Sequence, residues 1–142
     1  MKRYRFRLET VLRVRRVQED VARGDLARAN AAVAAAAADV EAARERLAGM
    51  ASEPVPANPV EWQARRALLL GRAAEITARQ TDLQAADTER AGRQRALAEA
   101  RTRVRALERL DERRRAEHAV EMGRDDSRTL DDLVTARARL AA

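Results

Sequence analysis

The chain is predicted to be all-α, an antiparallel two-helix coiled-coil hairpin with unequal arms, and three observations predict it. Strong helix formers dominate its 142 residues, with only 5 Gly and 3 Pro. Apolar residues recur every three and four positions over two long stretches, the seam of a left-handed coiled coil. All three prolines fall in one short interval, which divides the chain into two arms. A compact globular core does not fit: of the 46% hydrophobic residues, 33 are Ala, and the aromatics are Tyr4, Phe6 and Trp62 alone.

The first arm is expected over about residues 5–51. Its seam is Ala22, Leu26, Ala29, Val33, Ala36, Val40, Ala43, Leu47 and Met50, thin because half of it is Ala. Upstream, Leu8, Val11, Leu12, Val14 and Val21 suit a helix but not that frame, so a stutter is expected near Arg15 to Glu19. Residues 52–59 form the Pro-rich tip, with Asn58 as N-cap and Pro59 at the first helical position. The second arm follows over about residues 60–122, with Glu61 in its first turn favouring the helix dipole. Trp62, Leu69, Ile76, Leu83, Leu97 and Val104 occupy one heptad position and Ala86, Ala100 and Leu107 the complementary one. Arg90 and Arg93 interrupt this seam, their stems able to snorkel at its edge, and Gly71 and Gly92 weaken the middle. A break is expected at Gly123 to Ser127, then a short helical tail over about 128–140 beginning at Leu130-Asp131-Asp132-Leu133. A lone helix cannot bury its own stripe and the connection is short, so the arms pair as one domain over 1–142.

Several chemistries are excluded at this level. With no Cys and with His118 as the only His, disulfides, thiolate sites and multi-histidine metal sites are ruled out. No glycine-rich phosphate loop or supported Ser/His/Asp set occurs, and two paired helices provide no water-excluding pocket. No catalytic residue, cofactor, metal or small-molecule substrate is therefore expected; the acidic residues and His118 read as solvated helix surface. The basic Met1 to Arg7 start lacks a following apolar region, and the longest apolar stretch, Ala31 to Ala38, is far short of a membrane span. A soluble cytoplasmic protein is expected.

The net charge of +6 is unevenly placed, with basic blocks over Met1 to Asp20 and Arg93 to Arg115 and an acidic stretch over Glu121 to Asp132. A hairpin brings the two basic blocks to the open end, opposite the tip. Such blocks read either as a solvated helix face or as a phosphate-binding footprint. Interleaved acids, as in Glu108-Arg109-Leu110-Asp111-Glu112-Arg113, and the absence of stacking aromatics there argue against specific nucleic-acid binding. Trp62 also has two readings: it plugs the end of the seam, or with Leu68, Leu69, Leu70 and Val55 it offers a docking patch for another protein.

Tyr4-Arg5-Phe6-Arg7-Leu8-Glu9-Thr10-Val11-Leu12-Arg13-Val14-Arg15 followed by Glu19 resembles the start of the FliJ family of flagellar export proteins. Trp62, then Leu107-Glu108-Arg109-Leu110 with Arg113, Arg114 and Glu117, then Leu130-Asp131-Asp132-Leu133, follow in that family's order and spacing. Departures are the Ala-rich first arm, the Pro-rich tip, and Asp132 with Val134 where the family's tail often reads Glu then Ala. The resemblance implies a non-enzymatic coiled-coil component of flagellar type III export. It would act as a central-stalk-like partner of the export ATPase ring (FliI), contact the export gate protein FlhA and escort export chaperones. Its place would be peripheral, at the inner face of the cell membrane at the flagellar base. By the same resemblance the ring meets the end carrying the termini, for which Arg13, Arg15, Arg16, Arg105, Arg109 and Arg113 are nominated. The gate meets Trp62, Leu69, Ala73, Ile76 and Gln80, several of which also belong to the seam. The competing readings are a basic coiled coil that binds nucleic acid without sequence preference, and the equivalent stalk of a virulence secretion system.

Overall fold

Asn58 and Glu9 mark the two helix starts in the computed structural model, which describes residues 4–141. Helix α1 runs Glu9–Ser52 and α2 runs Pro59–Ala141, and the two pack against each other with no strand among the described residues. Both first turns carry an acid, Glu9 and Glu61, at the positive end of the helix dipole. At α2 the Asn58 carboxamide oxygen accepts from Val60 N at 3.0 Å, so one otherwise orphaned donor is satisfied.

The first helix starts four residues later than the periodicity suggests. Residues 4–6 lie outside regular structure and Glu9 N donates to Phe6 O across a turn. Tyr4, freed from helical geometry, reaches α2 instead, where its hydroxyl donates to Asp111 Oδ1 at 2.8 Å.

The expected stutter does not occur. Buried or half-buried positions on α1 run Leu12, Arg15, Glu19, Ala22, Leu26, Ala29 and onward to Met50 in one unbroken three-four alternation. Arg15 and Glu19 hold the two seam positions that an apolar pattern passes over, and Glu19 pairs with Arg101 of α2 at 3.5 Å. Of the residues that suggested a second frame, Leu8, Val11, Val14 and Val21 are exposed and Leu12 alone is buried.

Nor does α2 break at Gly123 to Ser127. No glycine has a positive φ, and Ser127 Oγ and Thr129 Oγ1 donate to the carbonyls of Gly123 and Asp125 one turn earlier, at 2.9 Å each. One glycine costs about 1 kcal/mol relative to Ala, too little to end a helix that continues well on both sides.

The chain divides into two compact units. The unit of the termini contains residues 1–19 and 100–142; the unit of the tip contains 20–99. In the tip unit Ala29, Val40, Ala43 and Leu97 are buried, and ion pairs Arg46–Glu75 at 2.9 Å and Arg93–Asp25 at 3.4 Å cross between the helices. Arg93 thus serves the pairing from the seam's edge. Arg90 is half-buried, pairing with Asp87 at 2.8 Å while its Nε is sealed without a partner. In the terminal unit the core is Leu12 and Val104, with Arg16–Glu108 crossing at 2.8 Å.

Candidate partner-binding surfaces

The helical turn decides which of the nominated arginines are available. Arg105, Arg109 and Arg113 recur every four residues, which sets them along one strip of α2 beside the Val104 and Leu107 seam. All three are exposed, as is Arg13 on α1, and none of the four makes an ion pair among the described residues. Arg15 and Arg16 differ. Arg15 sits half-buried at a seam position with its guanidinium donating to Gln18 at 2.9 Å, and Arg16 is committed to Glu108. The six share one unit, and four of them carry charge that is both exposed and unpaired among the described residues.

Beside them the only described tyrosine organises a polar clamp. Tyr4 donates to Asp111, Asp111 accepts from Arg115 at 3.1 Å, and the Arg115 guanidinium lies 5.8 Å from the Tyr4 ring centroid. His118 closes the other side, with its ring 5.6 Å from that of Tyr4, so it is a packed side chain and not a solvated one. Desolvation first, and then the hydrogen bond to the Asp111 carboxylate, push the Tyr4 phenol above its ordinary value. Tyr4, Arg5, Phe6, Glu9, Leu12, Arg16, Asp111 and Arg115 line an open cleft of about 720 Å³. Sequence reading passed over Asp111 and Arg115 because charged residues on a charged helix give no signal; the signal available was a lone Tyr just ahead of a helix start.

The five residues nominated near the tip divide by face. Leu69 and Ile76 are half-buried along the seam, whereas Trp62, Ala73 and Gln80 are exposed. Trp62 keeps 46% of its surface. Its ring is covered on one side by the Arg66 guanidinium 5.8 Å away, and with Ala51, Val55, Arg65, Arg66 and Leu69 it lines a cleft of about 260 Å³. Gln80 belongs to a separate shallow cleft of about 590 Å³, with Leu83, Gln84, Asp87, Thr88 and Ala91. Leu68 and Leu70 are also exposed, so apolar surface at this end extends beyond the seam.

What holds that surface in place is Arg65, which the sequence reading missed. Its guanidinium donates to Met50 O at 2.7 Å, to Glu53 O at 2.6 Å and to Pro54 O. These are carbonyls at and just past the C-terminal end of α1, where the dipole is negative and no intrahelical partner exists. A cation at the seam position two turns after the N-cap was the available clue. Farther along, Glu75 accepts from Arg72 at 2.8 Å and from Arg46 at 2.9 Å, and these two bonds, in that order, hold its carboxyl below the usual carboxylate range.

No group of His, Asp or Glu able to hold a metal ion occurs among the described residues, and no helix among them is long and apolar enough to cross a membrane. A family model described as Flagellar FliJ protein matches residues 4–142. No curated protein and no solved structure matches the chain.

Proposed function

Because the chain belongs to the FliJ family, and so is a component of flagellar type III export, we propose that it serves as a stalk-like partner of the export ATPase ring. In this reading the terminal unit meets the ring of FliI, the tip unit meets the export gate protein FlhA, and export chaperones are escorted by the same chain. It has no active site of its own and works peripherally at the inner face of the cell membrane at the flagellar base.

The observation that supports this reading most is the strip of Arg105, Arg109 and Arg113 with Arg13, exposed and without ion pairs among the described residues, in a unit where Arg16 and Arg115 are held by Glu108 and Asp111. Uncompensated guanidinium groups on a preformed helix face attract an acidic surface at little ordering cost. The test is hydrolysis by the cognate ATPase with and without the chain, at two salt concentrations, alongside co-elution. Reversing Arg105→Glu, Arg109→Glu and Arg113→Glu together is expected to weaken co-elution at least about tenfold with circular dichroism unchanged. Undiminished co-elution rejects this surface. Trp62→Ala with Leu69→Ala is expected to impair gate binding more than ATPase binding; equal loss of both points to unfolding at the tip.

A further inference from the structure

We propose that the chain pairs with a second copy of itself through the terminal unit, the last turns of α2 in one copy lying along the outer face of the start of α1 in the other. Two exposed apolar stripes in that unit call for cover. On α1, Val11, Val14 and Val17 follow one another every three residues, away from buried Leu12, and are 42%, 51% and 58% exposed. On α2, Leu130, Leu133 and Val134 share one face and are 62%, 62% and 69% exposed. Stripes of this kind on a charged helix mark contact surfaces.

Charge complementarity identifies the occupant. Residues 5–16 hold five basic residues and one acidic, and residues 121–132 hold five acidic and two basic. Arg5, Arg7 and Arg13 on the first segment, and Asp126, Asp131 and Asp132 on the second, make no ion pair among the described residues. Each stripe is thus framed by the charge that the other lacks.

The same chain cannot bring the two together. His118 already stands at the level of Tyr4, α2 stays helical onward to Ala141, and Leu133 therefore lies about 22 Å beyond the level of Tyr4, which itself precedes α1. A second molecule removes the obstacle. Arg7 precedes Val11 by one turn and Asp126 precedes Leu130 by one turn, so parallel alignment sets Asp126 beside Arg7 and the leucines beside the valines. Antiparallel alignment brings Arg137 to Arg7 instead. Because α1 and α2 of one copy run antiparallel, the parallel contact makes the two α2 helices antiparallel to each other, and one two-fold axis exchanges both contacts. The pair is closed and does not propagate.

Sedimentation velocity of the full chain across the micromolar range tests this, independently of any export partner. The expected result is a concentration-dependent species of twice the 15.8 kDa chain mass. Leu130→Glu with Leu133→Glu leaves a monomer of unchanged helicity, since Glu is a good helix former. Arg7→Asp or Asp126→Arg alone weakens the pair at least about tenfold, and the two together restore it, which a general loss of folding could not do. With no native Cys, Val14→Cys with Leu133→Cys gives a disulfide-linked dimer on oxidation. A wild-type monomer throughout, or a dimer that survives both glutamates, overturns the proposal.

Discussion

The tip unit and the terminal unit use the same helix pair with different means of closure. Near the tip, Ala makes up about half of the seam on α1, its Ala43 being 1% exposed. A single guanidinium, that of Arg65, gathers the carbonyls at the turn. In the terminal unit Leu12 and Val104 are the buried pair, without the buried Ala of the tip unit, and closure is by the side chains of Tyr4, Asp111, Arg115 and His118. The tip unit is closed by a turn, so its ends are covalently near; the terminal unit has no such turn among the described residues, and from residue 123 to 137 the side chains of α2 are exposed. Polar clamps thus close both ends of a seam whose layers each contribute little.

That comparison can be broken most severely in the seam. Leu97→Ala, at one of the larger buried side chains, should destabilise by about 2–3 kcal/mol, read from urea denaturation followed by circular dichroism. A loss no greater than that of an exposed control such as Leu70→Ala would mean that the tip unit does not depend on its seam. Next in size, Arg65→Ala removes three hydrogen bonds at the end of α1 and should cost about 1–2 kcal/mol. If Arg65→Lys restores full stability, charge at the helix end is what matters, not the fork of donors.

Glycine changes sharpen the comparison in the opposite direction. Gly92 is exposed, helical and without positive φ, and a Cβ there meets nothing within 4 Å. Gly92→Ala should therefore stabilise by roughly 0.5–1 kcal/mol, partly by restricting the unfolded chain. An unchanged denaturation midpoint would show that the middle of α2 is not a weak point. The smallest effect concerns pH. Glu75 has its folded value depressed by Arg72 and Arg46, so its contribution is present above the ordinary carboxylate range and is lost as pH falls through the depressed value. Glu75→Gln should flatten that part of the acid limb of the stability curve; an identical limb in both proteins would assign it to other carboxylates.

Most of the helical architecture was legible because its signals are local. Asn58-Pro59 reads as a cap and a first turn without any knowledge of the partner helix, and the three-four spacing from Ala22 to Met50 identifies the inward face directly. The frame upstream was misread for a physical reason. Arg15 and Glu19 face inward with their stems while their charged ends reach an edge or a partner, so a pattern built on apolar residues passes over them and follows the exposed valines. The expected break at Gly123 gave a single glycine more weight than the helix formers around it. Of the candidate surfaces, the position of the arginine blocks was legible, but which arginines keep their charge free was not: Arg16 and Arg109 look alike until Glu108 is seen facing Arg16.

Composition, heptad spacing and one proline cluster determined by themselves that this chain forms two long helices, because helix propensity and backbone restriction act within a few residues. Tertiary structure alone decided which charges cancel and which stay exposed, where Tyr4 and Arg65 anchor, and which apolar stripes lack cover. Those outcomes depend on residues about 10 to 110 positions apart meeting at hydrogen-bond distance, and no local property of either partner encodes that meeting.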